Sequence, residues 1–303
     1  MKRTENLESG IIRPKLVNPI WVLLWTSITM IAFAANAILC RLALRPEESV
    51  ERAIDPASYT LIRILAGAIV LLFIQRFRRP VDYQAVSRKQ WWSPVMLALY
   101  AIAFSFAYIG LDTASGTLIL FALVQLTMIF VGMLRGEFPK FIELMGLVMA
   151  SGGLVYLVTP NLQTPLLKES VLMAVAGIAW GGYSVLGKKS RDPIADTSFN
   201  FWASLPLVLV GNLVFYPSFE ITPWGAFLAV VSGGLASGLG YVIWYTVLPS
   251  LRSTQAAAIQ LSVPVLAAVG GFLFVGDQVS LRTLFSGMLI LVGIALTIKW
   301  KKR

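Results

Sequence analysis

The residues able to do chemistry in this chain are few and unevenly placed. There is no histidine, and Cys40 is the one cysteine. The commonest general base and metal ligand is therefore missing, and with it every histidine-containing triad. A lone cysteine closes no bridge within the chain. The carboxylates Asp112, Glu137, Glu143 and Asp277 each fall near the end of an apolar run. What stands inside the apolar runs is cationic, amidic or aromatic. Arg63 is alone in an otherwise uncharged stretch of about 57–75; the amides are Asn36, Gln125, Asn200, Asn212 and Gln260; the deeper rings are Trp180, Tyr183, Trp202, Tyr241, Trp244 and Tyr245. Such a set suits binding better than bond cleavage. A guanidinium pairs with a carboxylate, an amide both donates and accepts, and rings supply apolar walls.

The elements that must position these residues follow from composition. The chain has 303 residues, 57% hydrophobic and 13% charged, against about 45–50% and about 25% in a soluble domain. So much apolar surface has no place in water, which disfavours disorder, coiled coil, nucleic-acid binding and a disulfide-stapled fold. Nine runs lack Asp, Glu, Lys and Arg altogether: Leu16–Cys40, Gln90–Leu111, Thr113–Leu134, Leu144–Leu167, Ser170–Gly187, Thr197–Phe219, Ile221–Leu251, Ser253–Gly276 and Thr283–Ile298. With the stretch around Arg63 they make ten candidate spans of the length a bilayer requires. Backbone groups in lipid must bond within their own segment, so each span is read as a helix. The small residues of Ala32–Ala37 resemble a cleavage site, but the preceding charged region and the apolar run are both longer than a signal peptide's. The first span is therefore read as retained.

Charge sets the orientation. With ten spans and a cytoplasmic N-terminus, 19 of the 25 Lys and Arg residues fall on the inside, 5 on the outside, and Arg63 within a span. This is the asymmetry of the positive-inside rule, and it places both termini in the cytoplasm. The net charge of +10 is read as topology. Trp21, Trp91, Trp92, Trp224 and Trp300 fall at span ends and are read as interfacial anchors.

The two halves resemble each other. At an offset of 140 residues Gly136 meets Gly276, Glu137 meets Asp277 and Gly153 meets Gly293, and Phe33-Ala-Ala-Asn36 aligns with Trp180-Gly-Gly-Tyr183. Five spans per half is an odd number, so the second copy would lie inverted, as in secondary transporters with a midplane site between the copies. The motifs Trp180-Gly181-Gly182-Tyr183 with Lys188, Asp55-Pro56 followed by Arg63-Ile-Leu-Ala66-Gly, Gly136-Glu137 with Gly146 and Gly153, and Pro264 with Gly276-Asp277 and Gly293 resemble the ten-helix EamA-type branch of the drug/metabolite transporter superfamily. The likeness covers about residues 20–300. It departs from the family pattern at Phe33, Val124 and Asp277, where tryptophan, proline and glutamate are usual. The resemblance implies helices bundled around a central cavity, and alternating access for a small solute.

The expected fold is therefore all-α and membrane-embedded. A tail of 1–18 precedes a first repeat at 19–160, an outside linker at 161–169, a second repeat at 170–298 and a basic tail at 299–303. Asn36, Arg63, Gln125, Trp180, Tyr183, Trp244 and Gln260 are the expected substrate-binding residues, and Asp112 and Glu143 the expected gating or charge-pairing ones. Placing Arg63 at the bilayer centre costs about 2.5–3.5 kcal/mol. It would either snorkel to the outer interface or pair with Asp112, or else line the cavity and meet a substrate carboxylate. Gln125 and Gln260, on the fourth and ninth spans that correspond under the repeat, are expected to share the cavity. The glycines Gly234-x-x-x-Gly238 and Ala236-x-x-x-Gly240 are expected to seat the eighth span closely against a neighbour, and Pro206 and Pro264 to bend their helices. No carboxylate lies near midspan, so no dedicated midplane proton site is expected; Glu143 is a less buried candidate for coupling. These features point to a transporter of a small polar or amphipathic metabolite, amino acids and related compounds first, and the family resemblance implies export over uptake. Uptake or exchange of a sugar, nucleotide or drug-like compound is the alternative, and a membrane enzyme or channel the remote one. No cofactor is called for. The expected partners are a small-molecule substrate and the bilayer and not nucleic acid, with monomer and homodimer both open.

Overall fold

The computed structural model describes residues 19–44, 53–77, 91–111, 113–158, 167–188, 190, 192–215, 220–270, 273–274 and 281–297. Asp112, Asp277, Trp300 and both tails lie outside the described residues. The described chain is almost wholly helical, with one isolated antiparallel bridge between Ile54 and Ile221. The first five helices are α1 (Pro19–Leu44), α2 (Pro56–Arg76), α3 (Trp92–Ala107), α4 (Thr113–Leu134) and α5 (Phe141–Val158). Then come α6 (Leu167–Gly187) and α7 (Pro193–Phe215). A long rod, Pro223–Ser250, contains α8 (Pro223–Val231), a π-helical segment (Ser232–Leu239) and α9 (Gly240–Val247). A broken rod contains α10 (Ser253–Gln260) and α11 (Ser262–Gly270), and α12 (Leu281–Thr297) ends the described chain. Each expected span has a helix in its place. Helix α6 begins at Leu167, so the last three residues of the expected 161–169 linker are helical.

Five of these rods are long and apolar enough to cross a membrane: Pro19–Leu44, Pro56–Arg76, Leu167–Gly187, Pro223–Ser250 and Ser253–Gly270. The outer faces of these and the other helices fit a lipid surrounding. Leu23, Phe73, Val148, Val210 and Met288 are each more than half exposed, whereas Asn36, Arg63, Asn212 and Gln260 are buried. A protein apolar outside and polar within is turned for lipid. Trp21, Trp91, Trp92 and Trp224 also point outward, as anchors would.

Local chemistry sets the helix starts. Asp55 Oδ1 accepts the Ser58 N–H at 2.8 Å, with Pro56 opening α2. Asp192 Oδ1 likewise accepts from the N–H groups of Ile194 and Ala195, at 3.2 Å each, ahead of Pro193. Both pairs join a side-chain cap to a proline whose missing N–H costs nothing in the first turn. Pro264 has no N–H for the Gln260 carbonyl, and its ring crowds that carbonyl. The rod breaks into α10 and α11 at Leu261, beside Gln260. Helix α4 stops at Gly136, the one described residue type able to hold φ +81° without strain.

The helix pairings come in matched twos. Helix α3 lies on α6, as α1 lies on the rod Pro223–Ser250; α4 lies on α6, as α1 lies on α11; α3 lies on α7, as α2 lies on the π segment. Helices α2 and α7 pair with each other, and so do α5 and α12. Close approach is made by glycine. A Cβ on Gly233 would meet the Arg63 carbonyl oxygen at 2.0 Å, and one on Gly293 would meet the Gly146 carbonyl oxygen at 2.6 Å. The eighth span thus does seat closely, using Gly233 and Gly238 on α2 and Gly240 on α1.

Gly233→Val should separate α2 from the π segment and cost on the order of 1–3 kcal/mol, the usual range for overpacking. The measurement is a thermal melt of detergent-purified protein. Gly152→Ala should leave the melt unchanged or slightly raised, because a Cβ there meets nothing within 4 Å.

Candidate functional site

A small cavity lies among α1, α3, α4, α6 and α9. Its wall is mostly ring and methyl: Phe33, Tyr100, Phe104, Phe121, Trp180 and Tyr241, with Asn36 and Thr117 as polar members. The free space is about 20 Å³, room for about one water. This is much narrower than the solvated hollow expected from sequence, because the rings close on one another. Trp180 stands 4.6 Å from Tyr241, 5.1 Å from Tyr100 and 5.2 Å from Phe33 between centroids.

Arg63 sits behind this wall. Its side chain is 0% exposed, so it does not snorkel to an interface. Nε donates to Ser237 Oγ at 3.1 Å, and Nη2 donates to the hydroxyls of Tyr241 at 3.0 Å and Tyr100 at 3.3 Å. The guanidinium carbon lies 5.3 Å from the ring centroids of both Tyr100 and Phe104, within cation–π reach. Nη1 is buried without a hydrogen-bond partner. Asn36 extends the network: Nδ2 donates to the Tyr100 hydroxyl at 3.4 Å, and Oδ1 accepts from Ser232 at 2.6 Å and Ser237 at 3.4 Å. The π segment is what makes this possible. Its glycines bring its backbone onto α2, and its serines then reach Arg63 and Asn36. Such π turns commonly mark functional positions.

The remaining expected residues divide. Trp180 lines the cavity, and its Nε1 donates to Gln260 Oε1 at 2.8 Å; Gln260 therefore orients a wall residue. Tyr183 and Trp244 stand one layer back. The Tyr183 hydroxyl accepts from Asn200 Nδ2 at 3.3 Å, and Trp244 lies against Phe33. Gln125 does not share the cavity. Its Oε1 accepts from Ser151 of α5 at 3.2 Å, about one turn further along α4 than the wall residue Phe121 and two turns beyond Thr117. Asn212 donates to the Ala57 carbonyl at 2.7 Å and ties α7 to α2. Trp202 is not deep, being 39% exposed on the outer face of α7. Sequence reasoning missed Tyr100, Phe104, Thr117, Phe121, Ser232 and Ser237. One signal was available: a tyrosine at the middle of an apolar span needs a partner for its hydroxyl.

Both ends of the bundle are fastened. At one end Asp55 Oδ2 accepts the Glu220 N–H and the Asp55 N–H donates to the Glu220 carbonyl, each at 2.9 Å. Beside this, Thr222 N–H and Oγ1 both donate to the Ala53 carbonyl. At the other end Lys188 Nζ donates to Glu137 at 2.9 Å, and Arg252 pairs with Glu143 and donates to the Phe138 carbonyl at 2.8 Å. Glu137 does not serve the helix that follows it. Its Oε2 accepts the Ser253 N–H at 2.8 Å, at the positive end of α10, while Glu143 accepts the Lys140 N–H at 3.0 Å and caps α5. Partial burial raises the Glu137 carboxyl, but the Lys188 ammonium and the Ser253 N–H outweigh it and hold the group down at about 2. Asp112, the other expected gating residue, lies outside the described residues.

Comparison with known proteins places this geometry. The sequence model of the EamA-like transporter family matches residues 167–299. An uncharacterized protein of Pseudomonas aeruginosa is 41% identical over 274 residues, spanning 90% of this chain and 93% of that one. Uncharacterized transporters of Bacillus subtilis and Archaeoglobus fulgidus are 23% and 24% identical, spanning 80% and 89% of this chain and 86% and 95% of theirs. A crystal structure 16% identical superposes with a TM-score of 0.76 over 94% of this chain and all of that one, which shows a shared fold. Helical architecture, lipid-facing surface and family match agree: the chain is an integral membrane protein of the EamA-like transporter family, in the drug/metabolite transporter superfamily.

Proposed function

We propose that this protein is a secondary transporter of the cytoplasmic membrane, moving a small polar or amphipathic metabolite by alternating access. Amino acids and related compounds are the leading class, and export is the favoured direction. One observation carries the reading: a small ring-walled cavity lies between two fastened ends. A carrier must pass through a state closed on both sides, and a channel has no need of one. In that state the rings meet each other; substrate would part them when either end opens.

The ten-span, inverted arrangement is part of the proposal. The matched helix pairings support it. So does the location of the fastenings. Residues 137–143, 188 and 252–253 come from three segments that the charge count puts inside, and all meet at one end. Residues 53–55 and 220–222 come from two segments put outside, and they meet at the other. On this reading, which rests on the charge count, both termini are cytoplasmic. Asn36, Trp180 and Tyr241 are proposed to touch substrate, and Gln260 and Tyr183 to hold the wall. Glu137, Lys188, Glu143 and Arg252 are proposed to be the inner gate.

Four outcomes are expected. In proteoliposomes, counterflow of an accepted substrate should fall at least tenfold in Trp180→Ala and severalfold in Gln260→Ala, with normal insertion; full rates in both would misplace the site. Reporter fusions should put both termini on the cytoplasmic side, and opposite sides would end the inverted arrangement. Glu137→Gln should increase thiol labelling of a cysteine introduced at Thr254, in a Cys40→Ala background, from the cytoplasmic side only. A carboxyl held at about 2, below its ordinary 4.5, keeps its pair above the ordinary value and loses it only as pH falls through about 2. Wild-type labelling at Thr254→Cys should accordingly show no step between pH 5 and 8 once corrected for thiol ionisation.

A further inference from the structure

We propose that the substrate is a small monocarboxylate with an apolar or aromatic body and no amino group, and that Arg63 receives its carboxylate. The inference rests on the carrier reading above and departs from its leading substrate class, putting amine-free acids in place of amino acids.

Arg63 carries a full positive charge at a position closed to solvent. A buried charge is expected to have a paired counter-charge. Arg63 forms no ion pair with any described carboxylate; the ion pairs among the described residues are Lys188–Glu137 and Arg252–Glu143, both at the inner end. Its partners are hydroxyls: Ser237, Tyr100 and Tyr241. Its other near neighbours are the rings of Tyr100 and Phe104 and the polar groups of Tyr59 and Cys40. None of these is an anion at neutral pH. One arm of the fork, Nη1, has no acceptor among the described residues. It can donate to one carboxylate oxygen, and Nη2 supplies the second, parallel donor once the tyrosine hydroxyls move aside.

The position is right for a ligand in the cavity. Tyr100, Phe104 and Tyr241 touch Arg63 on one side and form the cavity wall on the other. A ligand that parts those rings reaches the guanidinium with its acid end and leaves its body among Phe33, Phe121 and Trp180. The wall also says what the ligand lacks. Its polar members are Asn36, Thr117 and tyrosine hydroxyls, with no acid to receive an ammonium. Asn36 Oδ1, the acceptor best placed for one, already accepts from two serines. The local charge is therefore positive and uncompensated, which favours an amine-free acid over a zwitterionic amino acid and disfavours an amine.

The test is a competition series on the purified full chain. A panel of small acids (3-phenylpropionate, indole-3-acetate, benzoate, hexanoate) is compared with the matching primary amides, amines and α-amino acids by thermal shift, then by counterflow. At least one acid should bind tenfold or more tightly than its own amide, amine and amino acid. That preference should fade as pH drops through the acid's own pKa, about 4–5. Arg63→Gln should remove the preference, so that the acid binds no more tightly than its own amide, and Arg63→Lys should keep part of it. The wild-type comparison and its pH dependence stand even if Arg63→Gln is too unstable to purify. Tightest binding by an amine, amide or amino acid, failure of every acid in the panel, or an acid preference surviving in a folded Arg63→Gln protein would overturn the proposal. Saturable counterflow of a neutral or cationic solute would leave the carrier standing and refute the acid site. Loss of all counterflow with intact binding of an acid would do the reverse.

Discussion

A guanidinium held inside the hydrocarbon-facing bundle without a counter-carboxylate among the described residues is the constraint around which the structure is arranged. Hydroxyls and ring faces repay part of the lost hydration, and they must be delivered to within about 3 Å from several helices. Ser237 and Tyr241 come from the long rod Pro223–Ser250, and Tyr100 from α3. The rod can supply them only by lying backbone to backbone on α2. That is why a Cβ at Gly233 would strike the Arg63 carbonyl, and one at Gly67 the ring of Phe201 and the Gly233 carbonyl. The π segment, its glycines and serines, and the rings over Arg63 are one assembly serving one charge.

Much of the frame is legible in sequence because lipid leaves few choices. Long uncharged runs must be helices, and each one is. The charge count puts loops on sides, and the loops assigned to one side do meet: Glu137 with Lys188 and Ser253, Asp55 with Glu220. The glycines of the eighth span and the proline of the ninth act as their chemistry requires. Local rules suffice for these, since each depends on a residue and its own helix.

The site was less legible, for a physical reason. Which face of a helix meets a cavity depends on the azimuth of packing, and apolar spans buried on one side and in lipid on the other carry little amphipathic signal. Gln125 and Gln260 stand on spans that correspond under the repeat, yet one bonds α5 and the other holds Trp180. Trp202 reads as deep and faces outward. Tyr100 and Ser237 drew no notice because a hydroxyl in a span is ordinary, and only its distance from Arg63 makes it otherwise. Glu137 lies just ahead of α5 in sequence yet caps α10, a partner more than a hundred residues away.

The fastenings at both ends share a further property. Every one joins a residue numbered below 160 to one numbered above 166: 55 to 220, 53 to 222, 137 to 188 and 253, 143 to 252. The broad helix contacts of α5 with α12, α3 with α6 and α2 with α7 cross the same divide. The cohesion of the molecule is therefore that of a heterodimer whose subunits happen to be tethered. Each part presents the other with a complete set of complementary edges, and a polypeptide severed between them would retain the recognition needed to reassemble.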